Sequence, residues 1–138
     1  MRKVSKQRLV AAALKARLRA VAPYSGFSVG AALLASSGRV YSGINVESAS
    51  YGLTVCAERV ALFKALSEGE RRFEAIAVVA SVAEGAMPCG ACRQLLAEYA
   101  PEAVVFTADS RRPDVVRKFS VKELLPLAFT LPDARATG

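Results

Sequence analysis

Two uninterrupted apolar runs, EAIAVVASV at residues 74–82 and AVVFTA at residues 103–108, constrain the fold more than any other feature. A strand that is apolar at every position, with no alternation, is covered on both faces, and that requires layers of helix above and below a sheet. Between the runs the sequence reads as a helix from about Gly90 to Tyr99, stopped before Pro101. Strands alternating with helices predict an α/β layered sandwich of about five strands. After the second run comes VVRKFSV, and the interval from Ala108 to Asp114 is too short for a crossover, which needs about 10 to 12 residues. The last two strands are therefore expected to be antiparallel neighbours.

The first half fits the same plan. A helix opens the chain, Pro23 breaks it, and PYSGF reads as a loop. SVGAALLA and RVYSGINV then read as two strands joined at SSGR, a hairpin signal. A helix is expected from about Val55 to Leu66, ending at SEGE with Gly69, and VKELLP reads as a turn or small helix. No repeat, low-complexity tract or linker divides the chain. At 138 residues it is long enough for one sizeable core and too short for two, so residues 1–138 are expected to form a single domain.

Composition excludes several classes of protein. A hydrophobic fraction of 53% with 22% charged residues argues against disorder, and no apolar run approaches the roughly 18 residues needed to cross a bilayer. The first twenty residues do not resemble a signal peptide, because Lys15, Arg17 and Arg19 interrupt their apolar part. A cytoplasmic protein with reduced thiols is expected. Its net charge is +7, and all eight basic residues before position 47 stand without an acid, whereas 11 basic residues face 12 acidic ones thereafter. That excess could mark a nucleic-acid or membrane patch. The solvated face of an amphipathic helix explains it better, with Val10, Leu14, Leu18 and Val21 on the buried side, because no aromatic residues are interleaved for base stacking.

The chemistry is concentrated in TVCAERV (Thr54 to Val60) and MPCGACRQ (Met87 to Gln94), which between them hold all three cysteines, Cys56, Cys89 and Cys92. Three thiols cannot all pair within one chain, and in a reducing compartment such a cluster points to metal or catalysis. Zinc with three protein ligands and one open position is the catalytic arrangement. With no histidine in the sequence, the ligands must be the three thiolates, with Asp, Glu or water in fourth place. Buried, inert thiols are the ordinary alternative for a lone cysteine; C-x-E together with P-C-x-x-C in one short chain favours the metal. Thr54 as N-cap would put Cys56 in a first helical turn, and Pro88 suits the start of the next helix, so helix dipoles would offset thiolate charge. Arg59 can add hydrogen bonds to the sulfurs. Glu58, two residues after Cys56, is placed to exchange protons with water on the metal.

Zinc deaminases combine a Cys₃ option, a non-ligand Glu and a P-C-x-x-C segment. The sequence resembles the small homotetrameric cytidine deaminases over nearly its whole length, through PYSGFSVGAAL (Pro23 to Leu33), GINVESASYGLTVCAER (Gly43 to Arg59), PCGACRQ (Pro88 to Gln94) and ELLPLAF (Glu123 to Phe129). The resemblance implies a three-layer α/β/α sandwich on a mixed sheet and one zinc per subunit. It implies hydrolysis of free cytidine and deoxycytidine to uridine and deoxyuridine with loss of ammonia, by a zinc-bound hydroxide at C4 with Glu58 as proton shuttle. By position, Asn45 and Glu47 match the pair that holds the ribose hydroxyls, and Phe27 matches the aromatic residue against the pyrimidine. Ala57 belongs to the same substrate pocket, and Ala49, Tyr51 and Phe129 match residues that reach it from neighbouring subunits. Taken singly, Asn45 and Glu47 could be turn residues and Phe27 or Phe129 core. The expected partners are a small nucleoside and further copies of the chain, with no nucleic acid and no membrane. Blasticidin-type deaminases lack the acid of the NVE segment, and nucleic-acid-editing deaminases carry a helix between their last two core strands, for which this chain has no room. A zinc-stabilised RNA-binding module would leave Glu58 without a purpose.

Overall fold

The computed structural model describes residues 4–83 and 85–131. Its centre is β3 (Phe73–Ala80), the first of the two apolar runs, flanked by β1 (Val29–Ala35) and β4 (Val104–Asp109). β2 (Val40–Ile44) and β5 (Arg112–Ser120) form the edges, giving the order β2-β1-β3-β4-β5. β3 and β4 run parallel, with α3 (Gly90–Tyr99) as the crossover, and the other pairs are antiparallel. β4 and β5 are antiparallel neighbours as the short connection requires. β5 is longer than the sequence suggested, because the ladder resumes at the pair Asp109 and Arg112 after a register shift.

The pleat of β1 sorts its side chains into two cores. Ala31, Leu33 and Ala35 pack with Ala61 and Leu62 of α2 (Ala57–Ser67), Leu96 of α3 and Leu124 of the short α4 (Val121–Leu124). Ala32 and Leu34 face the other way, onto Leu9, Val10 and Ala13 of α1 (Lys6–Arg17). The result is helix, mixed sheet, helix. On β3 both Ile76 and Ala77 are fully buried, which is why that run shows no alternation.

Two glycines set how closely the helices lie on the sheet. A Cβ on Gly30 would stand 2.0 Å from the carbonyl oxygen of Ala13, and one on Gly43 would stand 2.2 Å from that of Ala57. The first contact shifts the expected buried face of α1, which keeps Val10 and a half-buried Leu14 but not Leu18. The face that packs is Leu9, Val10, Ala13 and Ala16, with small residues where the backbones meet; the helix ends at Arg17, and Leu18 is 80% exposed. Val21 lies beyond the helix and bridges to Val46, which bridges in turn to Val55. Arg17 is not simply solvated, since its Nε donates to the Ser28 carbonyl at 2.9 Å. Arg2 and Lys3 lie outside the described residues.

Candidate active site

Both cysteine motifs lie at the start of a helix, and both cysteines that lead them are N-caps. Cys56 takes the N-cap position of α2 without a side-chain capping bond, Cys89 caps α3 through its sulfur, and Cys92 sits in the first turn of α3. The expectation that Thr54 caps α2 is corrected: its hydroxyl accepts instead from the backbone N–H of Ser48, at 3.0 Å. Val55 then pairs with Val46 through reciprocal N–H to carbonyl bonds of 2.9 and 3.0 Å, which fixes where α2 begins. Gly43 lets the first turn of α2 settle directly on β2. On the other side, Arg93 holds the C-x-x-C turn, its Nε donating to the Pro88 carbonyl at 2.8 Å and its Nη1 to that of Leu124 at 3.0 Å.

The three Sγ atoms converge within 4.8 Å of one another, with 3.6 Å between Cys56 and Cys89 and 3.4 Å between Cys89 and Cys92. Zn–S bonds of about 2.3 Å at tetrahedral angles put sulfurs about 3.8 Å apart. The donor set therefore fits zinc in type, number and spacing. Among the described residues no carboxylate joins this group, so Glu58 stands outside it. Charge around Cys56 is arranged for a thiolate. The Cys56 thiol is held down to about 5, chiefly by a hydrogen bond from the Cys92 thiol and then by Arg59. Cys92, the donor in that pair and more deeply buried, is pushed up. The Cys92 backbone N–H donates to Cys89 Sγ at 3.5 Å, and Arg59 Nη2 lies 3.8 Å from Cys56 Sγ.

Glu58 is only 5% exposed, in the first turn of α2. Burial raises its carboxyl to about 7, and the neighbouring Cys56 thiolate adds to the rise. A divalent cation on the thiolates would pull it back down. A carboxyl poised in that range can accept and return a proton near neutral pH.

A cleft of about 310 Å³ is lined by Tyr24, Ser25, Glu47, Ser48, Tyr51 and Thr54, the last of them two residues before Cys56 in sequence. Glu47 borders it with its carboxylate engaged: Oε1 accepts the backbone N–H groups of Tyr24 and Ser25 at 3.1 and 3.0 Å, and Oε2 accepts the Ser25 hydroxyl. Asn45 is buried, with Oδ1 accepting from Val29 N at 2.9 Å and Nδ2 donating to the Phe27 carbonyl at 2.7 Å.

A family model described as the cytidine and deoxycytidylate deaminase zinc-binding region matches residues 3–108. This chain belongs to that family. It is 51% identical to a cytidine deaminase of Halalkalibacterium halodurans, over 94% of this chain and 98% of that protein. A cytidine deaminase of Sporosarcina psychrophila is 46% identical, over 92% and 93% of the two chains. Among solved structures, the cytidine deaminase of Burkholderia pseudomallei superposes with a TM-score of 0.87 at 48% identity, covering 91% of this chain and all of that one.

Deaminase membership gives the cysteine cluster its metal, and the chain carries a zinc-dependent hydrolase fold. Of the residues expected at the site, one chain brings together Cys56, Cys89, Cys92, Ala57, Glu58 and Arg59, and Glu47 and Tyr51 line the cleft. Phe27 lies half-exposed on the loop that Asn45 holds. Ala49 is exposed, Tyr51 is 84% exposed on a short 3₁₀ turn, and Phe129 is 66% exposed, its carbonyl accepting from Gln94 Nε2 at 3.0 Å. Sequence reasoning missed Arg93, Gln94 and Ser25. The first two were visible only as part of the PCGACRQ motif, and Ser25 as a loop residue in PYSGF.

Proposed function

We propose that this chain is a cytidine deaminase that hydrolyses free cytidine and deoxycytidine to uridine and deoxyuridine, releasing ammonia. The observation that carries the reading is the convergence of three thiols from two helix starts beside one buried carboxyl, in a chain closely similar to cytidine deaminases. Cys56, Cys89 and Cys92 would hold the zinc. When bound, zinc supplies a Lewis-acid centre that makes water a nucleophile near neutral pH. Glu58 takes a proton from the water as its oxygen bonds to C4 and passes it to N3, then carries the second proton from the new C4 hydroxyl to the amino group as the C4–N bond breaks, leaving C4=O and ammonia. Burial keeps that carboxyl from being a strong acid, so it can act in both directions. Arg59 offsets thiolate charge, and Ala57 belongs to the substrate pocket.

Glu47 and Asn45 would receive the ribose hydroxyls, and Phe27 the pyrimidine face. A carboxylate at that place repels a 3′ phosphate, which favours free nucleosides over polynucleotides. The exposure of Tyr51, Leu53, Phe129 and Leu131 supports a homotetramer in which Ala49, Tyr51 and Phe129 complete a neighbour's site. We read residues 1–138 as one catalytic domain acting in the cytoplasm on a small molecule. No helix among the described residues is long and apolar enough to cross a membrane.

The test is an ultraviolet and ammonia-release assay on cytidine, deoxycytidine, cytosine and cytidine monophosphate, run beside metal analysis of wild type and Cys89→Ala. Turnover of the two nucleosides with one zinc per chain, both lost in Cys89→Ala, is expected. Full activity in zinc-free protein, or turnover of single-stranded DNA at rates matching cytidine, would overturn the reading.

A further inference from the structure

Residues 22–28 form no helix or strand, yet they carry Phe27 and border the cleft, so something outside the loop must fix their shape. Arg17 holds the loop's end at the Ser28 carbonyl, and two further side chains hold the rest. Glu47 gathers the N–H groups of Tyr24 and Ser25 and the Ser25 hydroxyl, and Asn45 grips the loop at the Phe27 carbonyl and the Val29 N–H. These are the two residues that the proposed function assigns to the sugar.

Ser25 stands at the centre of this arrangement. Its oxygen accepts the backbone N–H of Phe27 at 2.9 Å, and its single hydroxyl proton goes to Glu47 Oε2. A serine hydroxyl has one proton to give, so the chain has a direction, from Phe27 N–H through Ser25 to the Glu47 carboxylate. An ionised carboxylate offers about four acceptor positions. Two on Oε1 and one on Oε2 are taken by the loop, which leaves acceptor capacity on Oε2. The Ser25 hydroxyl therefore decides which way the remaining lone pair faces. It is also the largest cause of the lowered Glu47 pKa, which keeps the acceptor ionised.

We propose that Ser25 is a positioning residue for sugar recognition: its hydroxyl aims the free acceptor of Glu47 at the nucleoside hydroxyls. The inference rests on the reading of Glu47 as a ribose residue. A serine that merely stiffened the loop would affect every nucleoside alike. One that aims Glu47 affects only nucleosides with hydroxyls for Glu47 to receive.

The experiment measures kcat and KM on cytidine and on 2′,3′-dideoxycytidine, which lacks both hydroxyls, for wild type, Ser25→Ala, Ser25→Thr and Glu47→Ala. Ser25→Ala is expected to raise KM for cytidine about tenfold, the scale of one hydrogen bond to a charged group. KM for the dideoxy compound and kcat on either substrate should move no more than about twofold, and Ser25→Thr should restore cytidine KM by returning the hydroxyl. Zinc content and melting temperature are followed in parallel. Should Ser25→Ala lose either, Ser25→Cys, similar in size and a weaker donor, carries the same comparison. Equal losses on both substrates, or none on cytidine, overturn the inference. Collapse of the cytidine preference in Glu47→Ala but not in Ser25→Ala removes the role of Ser25 alone. An unchanged preference in Glu47→Ala removes the sugar reading of Glu47, and the inference with it.

Discussion

Arg59 and Cys56 meet within a single turn at the start of α2: the guanidinium Nη2 donates to the Thr54 carbonyl at 3.1 Å and stands 3.8 Å from the Cys56 sulfur. The same side chain thereby ties down the backbone that leads into the metal site and places positive charge beside its thiolates. Three thiolates more than neutralise a divalent cation, and the excess negative charge opposes ionisation of any water the cation holds. Two helix N-termini and Arg59 offset that excess. The thiolates in return raise the Arg59 pKa, first through the Cys56 hydrogen bond.

Replacing Arg59 with Gln is therefore expected to weaken zinc binding about 10- to 100-fold, the usual effect of removing a partner of a metal ligand. Competition with a chelator measures it. In zinc-stripped protein the Cys56 thiol, held near 5 partly by Arg59, should titrate higher, so alkylation at acidic pH slows. Unchanged zinc affinity would show that the guanidinium serves only the Thr54 carbonyl.

Glu58→Gln keeps the shape and hydrogen bonding of the side chain but cannot carry a proton. It should retain zinc and lose on the order of 100-fold or more in kcat, the scale of general acid–base catalysis. Because Glu58 must be ionised to accept a proton, activity should rise with pH through its titration. Burial places that near 7, and bound zinc moves it lower, so the acid limb lies at or below neutrality. Loss of zinc in the variant would recast Glu58 as a ligand.

Phe129 gives the test of a shared site. Its ring is exposed in the single chain, anchored by the Gln94 bond to its carbonyl. Phe129→Ala should raise KM for cytidine several-fold with zinc retained, in keeping with an aromatic contact worth about 0.5 to 1.5 kcal/mol beyond its buried area. Mixed with Glu58→Gln chains and refolded, it should yield hybrid oligomers in which some sites combine an intact Glu58 with an intact Phe129 from another subunit. Those sites should recover a wild-type KM. Activity equal to the sum of the two parents would confine Phe129 to its own chain.

Asp109, at the register shift between β4 and β5, accepts from Arg111 through Nε at 2.9 Å, Nη2 at 2.8 Å and the backbone N–H at 3.0 Å. The Arg111 side chain, then its backbone, holds the Asp109 carboxyl below its ordinary value. A depressed carboxylate contributes stability that is present above the unfolded pKa of about 3.9 and is lost as pH falls through the folded one. Asp109→Asn should melt lower than wild type at neutral pH, with the gap closing in acid. A gap that does not change with pH would assign the loss to packing.

Much of this protein was legible in its sequence because the deciding interactions are local or periodic. The unbroken apolar runs required helices on both sides of the sheet, and the short connection after Ala108 required an antiparallel return; both follow from strand geometry alone. The spacing of Cys89 and Cys92 put two thiols on one helical turn, and Glu58 had to accompany Cys56 wherever α2 began. Tertiary structure decided what depends on contacts between distant segments. Cys56 and Cys89 are 33 residues apart, and their sulfurs meet because the sheet sets two helix starts side by side. Thr54 reads as an N-cap, yet Val46 pairs with Val55, the Thr54 hydroxyl accepts from the Ser48 N–H, and the N-cap position passes to Cys56. The buried side of α1 kept Val10, with Leu14 half-buried beside it, but turned from Leu18 to Ala13 and Ala16, because Gly30 lets the backbones approach until only small residues fit between them. Ser25 gained its partner only when folding carried Glu47 across 22 residues of sequence to meet it. Helical spacing fixes which groups travel together, but hydrogen-bond partners far apart in the chain are chosen by the sheet that brings them within reach.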